Sequence, residues 1–136
     1  MAQNVTAASG KFPKSRHLLK HADFQRVYEN GRRQFTGNMT VFFLRRSVAE
    51  GQTEPDSGPR VGLTVGKVLG GSVERNRIKR RMREAVQFSL QACDGPVDVV
   101  FNPRKSVLQL PFAELQVEVE RGLKLAAQRA RAVEQK

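Results

Sequence analysis

A chain of 136 residues with 24 lysines and arginines against 13 aspartates and glutamates has a formal net charge of +11, and its length suffices for one core but not comfortably for two. Such a charge speaks to partners rather than to fold, and it puts nucleic acid ahead of an anionic membrane surface. Cys93 is the only cysteine, which excludes an intrachain disulfide and a zinc finger or ribbon.

No stretch reads as secretory or membrane-spanning, so a cytoplasmic protein without a membrane partner is expected. Residues 1–14 are small and polar and read as a disordered tail, with 15–130 as one domain and 131–136 as a C-terminal tail. Leu18, Leu19, Ala22, Phe24, Val27 and Tyr28 recur near helical spacing up to Gly31, which predicts a first helix with Asp23 as its N-cap. His17 and His21 could share a face of it. Leu18 stands where a zinc protease needs Glu, however, so no metal site is expected from this pair.

Met39 to Leu44 is rich in Thr, Val and Phe and reads as a strand, on which Phe42 and Phe43 point to opposite faces. Ser47 to Arg60 is polar and turn-rich, a long loop. Val61 to Val65 is a further strand stopped by Gly66, after which Gly70, Gly71 and Ser72, a candidate N-cap, introduce a helix. That helix buries Ile78, Met82, Ala85 and Val86 along one stripe, with Cys93 as a small apolar residue near its end.

Val97 to Phe101 is almost continuously apolar and so predicts a strand central in its sheet. A last helix runs from Pro111 to Ala130 with Leu115, Val119, Leu123 and Ala126 facing inward. A strand, a helix and a strand in succession imply a parallel pair, hence an α+β sandwich with a mixed sheet. Asp94 and Asp98 flank a turn and Glu114, Glu118 and Glu120 share a helix face; they read as caps and solvated charges, which leaves the chain without catalytic residues of its own.

The basic helix carries the strongest signal. ERNRIKRRMRE, from Glu74 to Glu84, places six cations, Arg75, Arg77, Lys79, Arg80, Arg81 and Arg83, within nine residues. They lie at the end of a helix whose dipole favours negative charge. Neighbours at i, i+3 and i+4 repel, and only Arg80 with Glu84 offers an i,i+4 pair. A phosphate backbone would relieve both the repulsion and the dipole. Phe24 and Tyr28, one helical turn apart, and Phe42 beside Arg45 and Arg46 add aromatic faces to the cations, the combination that single-stranded RNA binding requires. An aromatic stripe alone is more often core.

ADFQRVYENG, RVGLTVGKVLGG and ERNRIKRRMREA, in this order, resemble the protein component of bacterial ribonuclease P, over about Ser15 to Ala126. The resemblance implies an αβββαβα sandwich with an uncommon left-handed βαβ crossover. It also implies a helix and preceding loop that bind the catalytic RNA subunit through Lys67, Arg75, Asn76, Arg77, Lys79, Arg80 and Arg83. A cleft of Phe24, Tyr28 and Phe42 would take the single-stranded 5′ leader of precursor tRNA, with Phe43 turned into packing. Hydrolysis would use Mg2+ held mainly by the RNA subunit, and no obligate protein partner is implied. The family often reads Gly-Asn-Ala where this chain has Gly70, Gly71 and Ser72, a change expected to loosen the start of the helix. A ribosomal protein of similar architecture and a stand-alone nuclease are the competing readings, the second disfavoured by the carboxylates.

Overall fold

The computed structural model describes residues 20–46, 58–93 and 95–134. The expected N-terminal tail, His17, Leu18, Leu19, Asp94 and most of the loop after Ser47 lie outside them. Helix α1 (His21–Asn30) precedes strands β1 (Arg32–Phe35), β2 (Met39–Arg45) and β3 (Arg60–Leu63), then α2 (Ser72–Ser89), β4 (Val97–Pro103) and α3 (Phe112–Glu134). This is the αβββαβα order. The sheet runs β1-β2-β4-β3, antiparallel except for the parallel β3–β4 pair that α2 connects.

Central placement explains the apolar run of β4, whose Val97, Val99, Val100 and Phe101 are all buried. On β2 the alternation is clean: Met39, Val41 and Phe43 enter the main core, while Phe42 and Leu44 face the other way. The main core is completed by Ile78, Met82, Ala85 and Val86 of α2 and by Leu115, Val119, Leu123 and Ala126 of α3. Cys93 joins it as the small apolar residue expected. Strand β1 escapes a sequence reading because RRQF has no apolar alternation; it is an exposed edge strand held by β2 alone.

Helix α1 covers the opposite side of the sheet. Its attachment is thin: Val27 packs on Val100, flanked by Phe24, Phe42 and Leu44. One buried valine contributes only about 1.5–3 kcal/mol. Gly31 lets the chain turn from α1 into β1, since a Cβ there would stand 2.5 Å from the carbonyl oxygens of both Val27 and Phe43. Backbone atoms cannot yield to it.

Two expected caps shift. Lys20, not Asp23, occupies the N-cap position of α1 and makes no side-chain cap bond; Asp23 sits in the first turn and pairs with Arg26 at 3.0 Å. Its carboxylate still answers the helix dipole. Gly71, not Ser72, is the N-cap of α2, and its N–H donates to Glu74 Oε1 at 3.1 Å.

Two carboxylates expected to be solvated are buried. Asp98 is fully inaccessible and accepts from Arg26 Nη2 (2.8 Å), Arg46 Nη1 (2.8 Å) and Arg60 Nε (2.9 Å) and Nη2 (3.0 Å). Glu118 is nearly buried and accepts from Thr36 Oγ1 (2.6 Å), Asn38 N–H (2.8 Å) and Asn38 Nδ2 (2.9 Å), which ties the β1–β2 turn to α3. A buried carboxylate persists only when charge partners and hydrogen bonds replace its water. For Asp98, burial is the largest influence and alone would push the carboxyl up. The hydrogen bonds and charges of Arg60 and Arg46 together outweigh it and hold the group below its ordinary value of 3.8.

A depressed folded-state value means that this stabilisation is whole above the unfolded-state value and is lost as pH falls through the folded one. Urea denaturation across pH should therefore show stability draining below about pH 4. Asp98→Asn should remove much of that drainage and lower stability at neutral pH by about 3 kcal/mol, the lower end for breaking a buried pair because Arg26 can turn toward solvent.

Candidate nucleic-acid interface

Helix α2 sorts its cations by what its packed stripe allows. With Ile78 and Met82 buried, Arg81 is drawn inward, where Nη2 donates to the Leu110 carbonyl. Arg75 folds back, Nε donating to the Gly70 carbonyl at 3.1 Å. Lys79 is half-buried, whereas Asn76, Arg77, Arg80 and Arg83 are exposed, at spacings of three and four that place them on one side of the helix. None of Arg77, Arg80 and Arg83 forms an ion pair among the described residues, and the expected Arg80 pairing with Glu84 is not made. An exposed pair of this kind gains only a few tenths of a kcal/mol, too little to fix two long side chains.

Lys67 is exposed in a short 3-10 turn, Lys67–Leu69, just before α2. The two glycines after this turn do not loosen the helix start as expected. Gly70 has φ +130°, a conformation that suits glycine, and its carbonyl holds Arg75 while Gly71 holds Glu74. Two side chains of the helix's first turn thus fasten the loop.

On the other side of the sheet the predicted aromatics meet. The Tyr28 and Phe42 rings lie edge to face with centroids 4.8 Å apart at 89°, and Phe24 is half-buried beside them against Val27 and Val100. Phe43 points into the main core and is 2 % exposed, as the strand alternation requires. The Tyr28 hydroxyl donates to Asn102 Oδ1 at 3.1 Å; a phenol has one proton, so its 2.6 Å contact with Thr64 Oγ1 is filled by the threonine as donor. Tyr28 remains 37 % exposed although its hydroxyl is held from two sides. Thr64 and Asn102 are residues of this face that the sequence reading did not single out; the pairing of β3 with β4 brings them together.

Among the described residues no three His, Cys, Asp or Glu side chains gather to hold a metal, and Asp98 and Glu118 are already committed to arginines and to the β1–β2 turn. The described residues thus present exposed cations along α2 and a partly exposed aromatic group on the α1 side of the sheet.

Comparison with known proteins agrees with this geometry. The family model for ribonuclease P matches residues 12–127. The ribonuclease P protein component of Chloroflexus aggregans is 34 % identical over 114 residues, covering 83 % of this chain and 78 % of that protein. That of Desulforapulum autotrophicum is 35 % identical over 111 residues, covering 82 % and 88 %. The Staphylococcus aureus RNase P protein superposes with a TM-score of 0.65 at 27 % identity over 83 % of this chain and 96 % of that one. The Thermotoga maritima RNase P protein shares the fold, with a TM-score of 0.64 at 20 % identity over 79 % and 94 %.

The exposed arginines of α2 support no part of the fold. Replacing Arg77 and Arg80 together by alanine should change unfolding free energy by no more than about 0.5 kcal/mol, measured by urea titration. A loss of several kcal/mol would reveal internal pairing.

Proposed function

This chain belongs to the ribonuclease P protein family, and we propose that its two faces divide the binding done by that ribonucleoprotein's protein subunit. As the RNA-binding component it partners the RNase P RNA in the holoenzyme that cleaves tRNA precursors. In our reading, α2 and its preceding loop dock on the RNA subunit. Arg77, Arg80 and Arg83 meet phosphates, Asn76, Lys79 and Lys67 flank them, and Arg75 keeps the loop in place through Gly70. The observation that carries this is the contrast in arginine use. Arg26, Arg46 and Arg60 share a buried carboxylate, while the three exposed arginines of α2 have no internal partner among the described residues.

Phe24, Tyr28 and Phe42, on the α1 side, receive the single-stranded 5′ leader of the precursor tRNA, bases stacking on the open aromatic surface. An open, hydrogen-bonded tyrosine beside Phe42 favours this over a ribosomal protein reading, which has no use for it. In our reading the Mg2+ of the holoenzyme is held mainly by the RNA subunit, where it would supply an activated water for phosphodiester hydrolysis. The protein's share is to bind and orient. Among the described residues no helix is long and apolar enough to cross a membrane, and we place the work in the cytoplasm.

Arg77→Ala with Arg80→Ala should weaken binding to the RNA subunit and flatten its salt dependence by roughly one unit of slope for each phosphate contact removed. An unchanged slope in filter-binding titrations would mean that α2 does not face phosphates. Tyr28→Ala should cost about 1–3 kcal/mol in holoenzyme affinity for leader-bearing precursor and nothing for mature tRNA. Equal losses on both substrates would remove the leader cleft.

A further inference from the structure

The register of the sheet lays out a surface that spacing along the chain does not disclose. On the α1 side, Val100, Phe42 and Arg33 form one row across β4, β2 and β1, and Asn102, Thr40 and Phe35 form the next. Helix α1 covers the first row at Val100 through Val27, and Tyr28 reaches the second at Asn102. Beyond Tyr28, at the sheet edge, Phe35 is 56 % exposed, and the Arg33 guanidinium lies 5.7 Å from its ring centre.

Exposed apolar side chains scattered singly are ordinary. Phe35 is not placed as a scattered one. It lies on the same face as Phe42 and one diagonal step away, a separation of about 7–8 Å between such residues on neighbouring strands. Its strand belongs to a hairpin whose turn is fixed by Glu118 through Thr36 and Asn38, so the ring is presented on a held element. Arg33 backs it with a cation that fits both an aromatic face and a phosphate. A row of aromatics with cations alongside is what a single strand of RNA stacks on.

We propose that Phe35, backed by Arg33, is a further stacking position for one nucleotide of the RNA strand that crosses Tyr28 and Phe42, so that the leader surface extends to the open edge of β1. This rests on the leader reading above. Arg33 lies against the ring, the ring's exposed surface takes a base, and the guanidinium neutralises the adjoining phosphate. Every base has a stacking face, so Phe35 sets the length of leader engaged and not its sequence.

A double-mutant cycle on the reconstituted holoenzyme tests it. Precursor tRNAs carrying a single abasic nucleotide at each leader position in turn are titrated against the wild-type protein, Phe35→Ala, Phe35→Tyr and Tyr28→Ala. Phe35→Ala should weaken binding of the intact leader by about fivefold or more, the lower end of base stacking, with unchanged affinity for the RNA subunit, and Phe35→Tyr should restore it. At one leader position the abasic loss should vanish in Phe35→Ala, and that position should differ from the one coupled to Tyr28. If Tyr28 couples to a leader position while the Phe35 effects simply add everywhere, the extension is wrong and the leader cleft stands. If neither residue couples to any position, both fall.

Discussion

One carboxylate holds the architecture to a single arrangement. Asp98 sits on the central strand with no access to water, and its three arginines come from α1, the end of β2 and the start of β3. An uncompensated charge at that depth would cost several kcal/mol, so all four elements must converge together or not at all. Arg26 matters most for the aromatic face, because the apolar contact of α1 with the sheet is a single buried valine and its neighbours. That ion pair, together with the Tyr28 hydroxyl on Asn102 and Thr64, holds α1 where Phe24 and Tyr28 stand beside Phe42.

The same logic separates two populations of arginine in a chain with a net charge of +11. Those with long-range partners build the fold. Those on the outer side of α2 have none among the described residues, and their mutual repulsion persists in the free protein at a few tenths of a kcal/mol per pair. Glu74, held by the Gly71 N–H, puts a carboxylate in the first turn of α2, yet one acid cannot balance the cations beyond it. A polyanion docking there relieves strain that the protein cannot relieve internally.

The sheet serves as a partition. Because successive side chains alternate, Phe43 belongs to the core beneath α2 and α3 while Phe42 belongs to the surface beside α1. Cations on α2 and aromatics on the α1 side are thus carried by helices packed on opposite sides of one sheet, and each can be altered without repacking the other. The β1–β2 hairpin, pinned by Glu118 to α3, links the two sides mechanically.

Periodicity by itself determined the apolar stripes of α2 and α3, the central place of β4, and the opposed directions of Phe42 and Phe43, because these arise from local geometry that repeats every two or 3.6 residues. Family resemblance supplied the fourth strand of the count, β1, which RRQF does not announce. Only the tertiary structure decided the fates of the charges. Asp98 and Glu118 read as surface acids since their partners lie 38 to 82 residues away along the chain, and no local pattern records a partner at that distance. It also decided which arginines are held and which are offered, and it brought Thr64, Asn102 and Phe35 onto the face of Tyr28. Burial turns a charge from ornament into anchor, and burial is a property of the folded whole.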